Sequence, residues 1–127
     1  MAEEVVIRAQ GLTKRYATTI AVDHIDLDVR AGEIVGIFPE GPFSVRGQLE
    51  PGLPGVGLLA LRSGVPVIPA GIRGTFAALE GRRAYVPRRH PLSVRFGPPR
   101  QFVRERGRAA RADVTQRIMS DIAALLC

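Results

Sequence analysis

The chain has one cysteine, the last residue, Cys127, so no intrachain disulfide can form and no cysteine-based metal site can be built. It has no apolar run of about 18 residues, so no transmembrane helix is expected. The opening stretch, MAEEVVIRAQ, carries acids where a secretory signal would carry basic residues. Export is therefore not expected, and the chain reads as cytoplasmic, with peripheral contact at the inner membrane surface left open. Lysine is nearly absent as well: Lys14 stands alone against seventeen arginines, a ratio that first reflects codon usage in a GC-rich genome. Only two histidines, His24 and His90, are available for acid–base chemistry.

What is present is one domain's worth of material: 127 residues, 46% hydrophobic and 24% charged, the balance of a soluble globular chain with one modest core. Charge is unevenly spread. Residues 1–37 hold six acids and four basic residues, whereas residues 38–127 hold six acids and fourteen arginines, a net +8. The second part therefore attracts phosphate, whether on nucleic acid, anionic lipid or a phosphorylated substrate.

Two segments with different habits meet near residue 38. The first has strand patterning at Val5-Val6-Ile7, at Ile25, Leu27 and Val29 with Asp26 and Asp28 between them, and at Ile34 to Phe38. The alternation at 25–29 predicts a strand with one buried face. The second opens with a Gly/Pro-rich loop over residues 39–55. A short helix from about Pro54 to Arg62 is expected next, with proline tolerated in its first turn and Gly64 past its end. Val65 to Ile72 reads as a buried strand made irregular by Pro66 and Pro69, and Leu92 to Phe96 alternates as another strand. From about Ala109 to Leu126, the spacing of Val114, Ile118, Ile122 and Leu125 predicts an amphipathic helix that packs on a core. The fold class expected is α/β: a mixed sheet with packed helices, preceded by a β-rich N-terminal arm.

Several blocks in the second part occur in a telling order. Ala31-Gly32-Glu33-Ile34-Val35-Gly36-Ile37 runs into Phe38-Pro39-Glu40-Gly41; then come Pro54 to Leu61, Val65-Pro66-Val67-Ile68-Pro69-Ala70, Gly74-Thr75, and Val94-Arg95-Phe96-Gly97-Pro98-Pro99. From Gly32 to about Pro99 this resembles the C-terminal half of the lysophosphatidic acid acyltransferase family, and residues 38–127 read as an acyltransferase-like half-domain. The resemblance implies a site for a glycerolipid phosphate acceptor at Glu40, Gly41, Ser44 and Arg46. It implies acyl-CoA or acyl carrier protein as donor, and no bound cofactor.

Two departures stand out. The family's Thr-Arg pair after Pro-Glu-Gly is replaced by Pro42-Phe43, which removes a charge-assisted contact to phosphate; Arg46, three residues on, is the candidate substitute. The family's catalytic His-x4-Asp motif, a general base and the carboxylate that orients it, is missing. Five residues after His24 stands Val29, and five after His90 stands Arg95; Asp28 lies at the wrong spacing. No catalytic residue is assigned, and a preceding half carrying that motif would be needed as partner.

Residues 4–37 resemble the start of an ABC transporter ATP-binding domain, through Gly11-Leu12-Thr13-Lys14-Arg15-Tyr16, Ala21-Val22-Asp23 and Ile25 to Val29, then Gly32-Glu33-Ile34-Val35-Gly36. The resemblance implies that Tyr16 stacks on adenine. The phosphate-binding loop that should follow Gly36, with its lysine, is absent. A chain that follows one family into the octet Arg30 to Ile37 and another out of it has the look of a chimera. A third reading, a basic scaffold resting on Arg82, Arg83, Arg88, Arg89, Arg104, Arg106, Arg108 and Arg111, binds anionic lipid; with 6% aromatics and no stacking face, specific nucleic-acid binding is not expected.

Overall fold

The computed structural model describes residues 4–41, 46–80 and 86–127, with backbone alone at Lys14, Tyr16 and residues 19–22. The fold is α/β, built from small antiparallel sheets and helices. It divides into two compact units, residues 1–37 and 38–127.

The first unit is a β-hairpin. Strands β1 (Val5–Tyr16) and β2 (Thr19–Arg30) pair antiparallel around a two-residue turn, with Tyr16 opposite Thr19 and Val5 opposite Arg30. The register slips between Ala9 and Lys14. There Gly11 and His24 take positive φ, +59° and +46°, and side chains satisfy the displaced backbone: Gly11 N–H donates to Asp26 Oδ1 at 2.7 Å and His24 N–H to Thr13 Oγ1 at 3.2 Å. A bulge of this kind interrupts strict alternation. The buried face expected from Ile25, Leu27 and Val29 is accordingly partial: Val29 is buried, while Ile25 and Leu27 remain nearly half exposed. On the polar face Arg8 grips Asp28 through two hydrogen bonds of 3.0 Å, and that guanidinium holds the Asp28 carboxyl below its ordinary range, by hydrogen bonding first.

The strand expected at Ile34 to Phe38 does not form. The chain leaves the hairpin through a turn at Ala31-Gly32, where Glu33 N–H donates to Arg30 C=O at 3.1 Å and the Glu33 carboxylate accepts from Arg30 N–H at 2.7 Å. Beyond it, no third strand among the described residues offers backbone partners, and Ile34 is left 97% exposed. An apolar run becomes a strand only where a neighbour accepts its hydrogen bonds.

The second unit runs α1 (Pro54–Ser63), β3 (Ala70–Arg73), α2 (Thr75–Leu79), β4 (Ser93–Phe96) and α3 (Arg108–Leu126). Proline opens α1 where its missing N–H costs nothing, and Gly64 closes it in the left-handed region, φ +65°, donating back to Ala60 C=O at 3.1 Å. The stripe foreseen on α3 is the core: Val114, Ile118, Met119 and Ile122 are buried against Ala60 and Leu61 of α1 and against Phe102. Leu125 lies over β3 at Gly71, where an added Cβ would come within 2.8 Å of it. Strands β3 and β4 pair antiparallel, Ala70 opposite Phe96 and Arg73 opposite Ser93. Of the strand expected over Val65 to Ile72, only one bridge, Val67 to Arg100, and β3 itself form. Pro66 and Pro69 lack the N–H groups a continuous ladder needs. The short helix α2 begins at Thr75, with Gly74 in the left-handed region just before it.

Candidate functional site

Phe38-Pro39-Glu40-Gly41 makes a turn in which Gly41 N–H donates to Phe38 C=O at 3.2 Å. Gly41 sits at φ +82°, and a Cβ there would lie 2.8 Å from Leu53 Cδ1. Only glycine meets both the left-handed backbone and the close approach. The return limb is pinned to this turn twice: Leu53 N–H donates to Pro39 C=O at 2.7 Å, and Glu50 N–H donates to Glu40 Oε2 at 2.7 Å. Segment 39–53 is thus a loop with its ends drawn together.

Glu40 is half-buried, and its carboxylate closes the loop. A charged acceptor on a backbone N–H makes a stronger bond than a neutral one, so one carboxylate oxygen is committed to architecture. Glu40→Ala should lower the stability of this unit by about 1–2 kcal/mol, since it leaves the half-buried Glu50 N–H without its acceptor. Glu40→Gln keeps an acceptor oxygen and should cost less. Amide exchange at Glu50 checks this: fast in the alanine variant, close to wild type in the glutamine variant.

The other loop positions fare differently. Ser44 lies outside the described residues. Arg46 is exposed at the start of a turn and pairs with no carboxylate among the described residues. Gly47, at φ +68°, rests on the ring of Phe76 from α2, where a Cβ would come within 2.7 Å. Gly52 rests on α3, a Cβ there meeting Met119 Cγ at 2.6 Å and Thr115 Cγ2 at 2.9 Å. The structure therefore joins Glu40 and Gly41 in one turn, places Arg46 on the same loop with its charge in solvent, and seats the loop on two helices.

Of the two histidines, His24 belongs to the first unit and His90 to the second, where its Nδ1 donates to Pro91 C=O at 2.9 Å. His24, on β2, points Nδ1 at Asp23 Oδ1 at 2.5 Å, and both side chains are largely exposed, 78% and 62%. This imidazole–carboxylate couple was not anticipated. Adjacent residues on a regular strand face opposite ways; the positive φ of His24 is what lets them meet. Asp28, the other carboxylate considered for His24, is held by Arg8 instead. Tyr16 ends β1 beside the turn, opposite Thr19, and its side chain is outside the described atoms.

Of the six described arginines counted as a basic surface, three donate to local carbonyls. Arg88 donates to Glu80 C=O at 2.5 Å, Arg104 to Ser63 C=O at 3.4 Å and Arg111 to Gly107 C=O at 3.2 Å. Arg82 and Arg83 lie outside the described residues. Arg73 is different: it lines an open depression of about 260 Å³ together with Gly74, His90, Pro91, Leu92 and Ser93. The sequence carries no sign of this cluster because its two halves, residues 73–74 and 90–93, are 16 to 20 residues apart and no motif joins them. No helix among the described residues is long and apolar enough to cross a membrane.

Compared with known proteins, residues 7–73, just over half of the chain, match the profile of the family described as Acyltransferase. No solved structure matches.

Proposed function

The chain belongs to the acyltransferase family, and from that premise we propose that it derives from a glycerophospholipid acyltransferase whose acceptor is lysophosphatidic acid or a related glycerol phosphate. In this reading Glu40 and Gly41 form one wall of the acceptor site, Ser44 and Arg46 belong to the same loop, and the donor is acyl-CoA or acyl carrier protein. The observation that carries it is the turn at Phe38 to Gly41, whose carboxylate is held at 2.7 Å by the Glu50 amide within a segment the family profile covers. Such a loop can orient an acceptor.

It does not supply a base. Acyl transfer to an alcohol needs a group that takes the hydroxyl proton as the oxygen attacks the acyl carbonyl, held within hydrogen-bond reach. The His-x4-Asp spacing is absent, and the one imidazole–carboxylate couple among the described residues, His24 with Asp23, lies open to water on the hairpin. We therefore expect this chain by itself to show no acyl transfer from acyl-CoA or acyl carrier protein to lysophosphatidic acid. Turnover above the uncatalysed rate that vanishes in His24→Ala would overturn the inactive reading and identify His24 as the base.

A second reading concerns the hairpin. The two compact units divide at Ile37/Phe38, at the end of the octet where the resemblance changes from ABC transporter to acyltransferase. This supports a chimera in which residues 1–37 come from an ATP-binding domain. Tyr16 at the strand end would then be the adenine platform, without a phosphate-binding loop to follow it. The family match, which begins at residue 7, favours the acyltransferase reading for the hairpin too. Titration with ATP separates them: saturable binding at micromolar ATP that is lost in Tyr16→Ala would favour the transporter origin.

A further inference from the structure

The depression at the end of β3 has the makings of an anion site. Arg73 is the last residue of β3 and faces Ser93, the first of β4, across the ladder. Gly74 follows at φ +94°; a Cβ there would overlap Pro91 C=O and come within 3.2 Å of His90 Nδ1 and Leu92 Cδ2. Glycine thus lets segment 90–92 lie directly against the 73–74 turn. That contact brings His90 to Arg73 and Ser93.

The His90 ring is oriented by its neighbour. Nδ1 lies 2.9 Å from Pro91 C=O, and since a carbonyl oxygen can only accept, Nδ1 carries the hydrogen. Nε2 is left for another partner. Arg73 pairs with no carboxylate among the described residues, and no acidic residue lines the depression. The polar lining is therefore a guanidinium, an imidazole and a hydroxyl, with Pro91 and Leu92 as an apolar rim.

We propose that Arg73, His90 and Ser93 form a subsite for a phosphate monoester. A guanidinium fork grips two oxygens of one anion. With the hydrogen on Nδ1, Nε2 accepts; a phosphate monoester that keeps one P–OH can donate to Nε2 while its charged oxygens accept from Arg73 and Ser93, which a carboxylate with two acceptor oxygens cannot do. The volume, about 260 Å³, admits a phosphate with several waters, each of which needs about 30 Å³. Because the depression is open, the alcohol part of the ester stays outside it. The shared ligand chemistry is thus a terminal phosphate, either on a soluble molecule or on a lipid headgroup. The proposal does not depend on acyl transfer and holds whether or not the Glu40 loop binds an acceptor.

Amide NMR of the full-length chain, titrated with inorganic phosphate against chloride at equal ionic strength, tests it. We expect saturable shifts concentrated at Arg73, Gly74 and residues 90–93. Arg73→Gln should weaken binding about tenfold, as the loss of a charge-assisted contact implies, and Ser93→Ala about threefold. Arg62→Gln, an exposed arginine on α1, should leave it unchanged. Unaltered β3 and β4 amide shifts in the variants show that the sheet is intact. Shifts that grow linearly, or that spread over the arginines generally and respond equally to Arg62→Gln, would overturn the subsite. Vesicles of phosphatidylcholine with and without phosphatidate distinguish the sources. Phosphatidate-dependent cosedimentation that Arg73→Gln reduces assigns a lipid headgroup; saturable phosphate binding without cosedimentation assigns a soluble ester.

Discussion

Replacing Gly57 by alanine should destabilise the helical unit by about 3 kcal/mol, at the upper end of what overpacking a core costs. Gly57 is buried in the middle of α1, and a Cβ there would run into Arg111 C=O and Thr115 Oγ1 of α3. The Arg111 carbonyl is backbone and cannot rotate away. Thr115 is itself tied, its hydroxyl donating to that same carbonyl at 2.8 Å. The only relief is to move α1 off α3, which opens the contact that holds Ala60 and Leu61 against Val114 and Ile118. In an isolated helix the same change would be favourable by nearly 1 kcal/mol, because alanine is the better helix former. The sign of the measured effect therefore decides between propensity and packing. Urea unfolding followed by helical circular dichroism reads it out, since the helices among the described residues all lie in this unit. A midpoint equal to or above wild type would show that α1 and α3 do not approach at Gly57.

Gly57 also illustrates what could be read without the structure and what could not. Its helix was bracketed by Pro54 and Gly64, local signals that act within one turn, and it was foreseen to within a residue. The buried stripe of α3 was likewise written in the spacing of Val114, Ile118 and Ile122. Nothing in the sequence says which face of α1 meets which turn of α3, because that depends on two surfaces fitting together. The same limit explains Ile34 to Phe38. Its apolar residues satisfy every local rule for a strand, yet strands require a neighbour, and neighbours are not local. Among the site residues, Glu40 and Gly41 were legible as the opening of a Gly/Pro-rich loop within a recognisable block. The partner of Glu40 was not, because a backbone amide belongs to every residue and leaves no trace in composition. The Asp23–His24 couple had the opposite problem: the two are adjacent, but regular alternation keeps such neighbours apart, and only the register slip near Gly11 brings them together.

Ile118→Ala should cost about 3–4 kcal/mol, within the range for large-to-small changes in a core, and here that is a large share of the total. Ile118 is 3% exposed and packs with Ala60, Leu61, Phe102, Val114, Met119 and Ile122. The core is small, and no large side chain among the described residues is fully enclosed. Stability of about 0.05–0.15 kcal/mol per residue gives a unit of this size roughly 5–13 kcal/mol in all. The loss should also be felt at the loop. Gly52 rests on Met119 and Thr115, the neighbours of Ile118 along α3, so a helix that loosens there releases the return limb of segment 39–53. Amide exchange at Glu50 should then accelerate with the global opening rate in Ile118→Ala. In Glu40→Ala it should accelerate by local opening, with the helices still folded. Equal protection of Glu50 in wild type and Ile118→Ala, under conditions where the helices exchange faster, would mean that the loop holds its shape independently of the core beneath it.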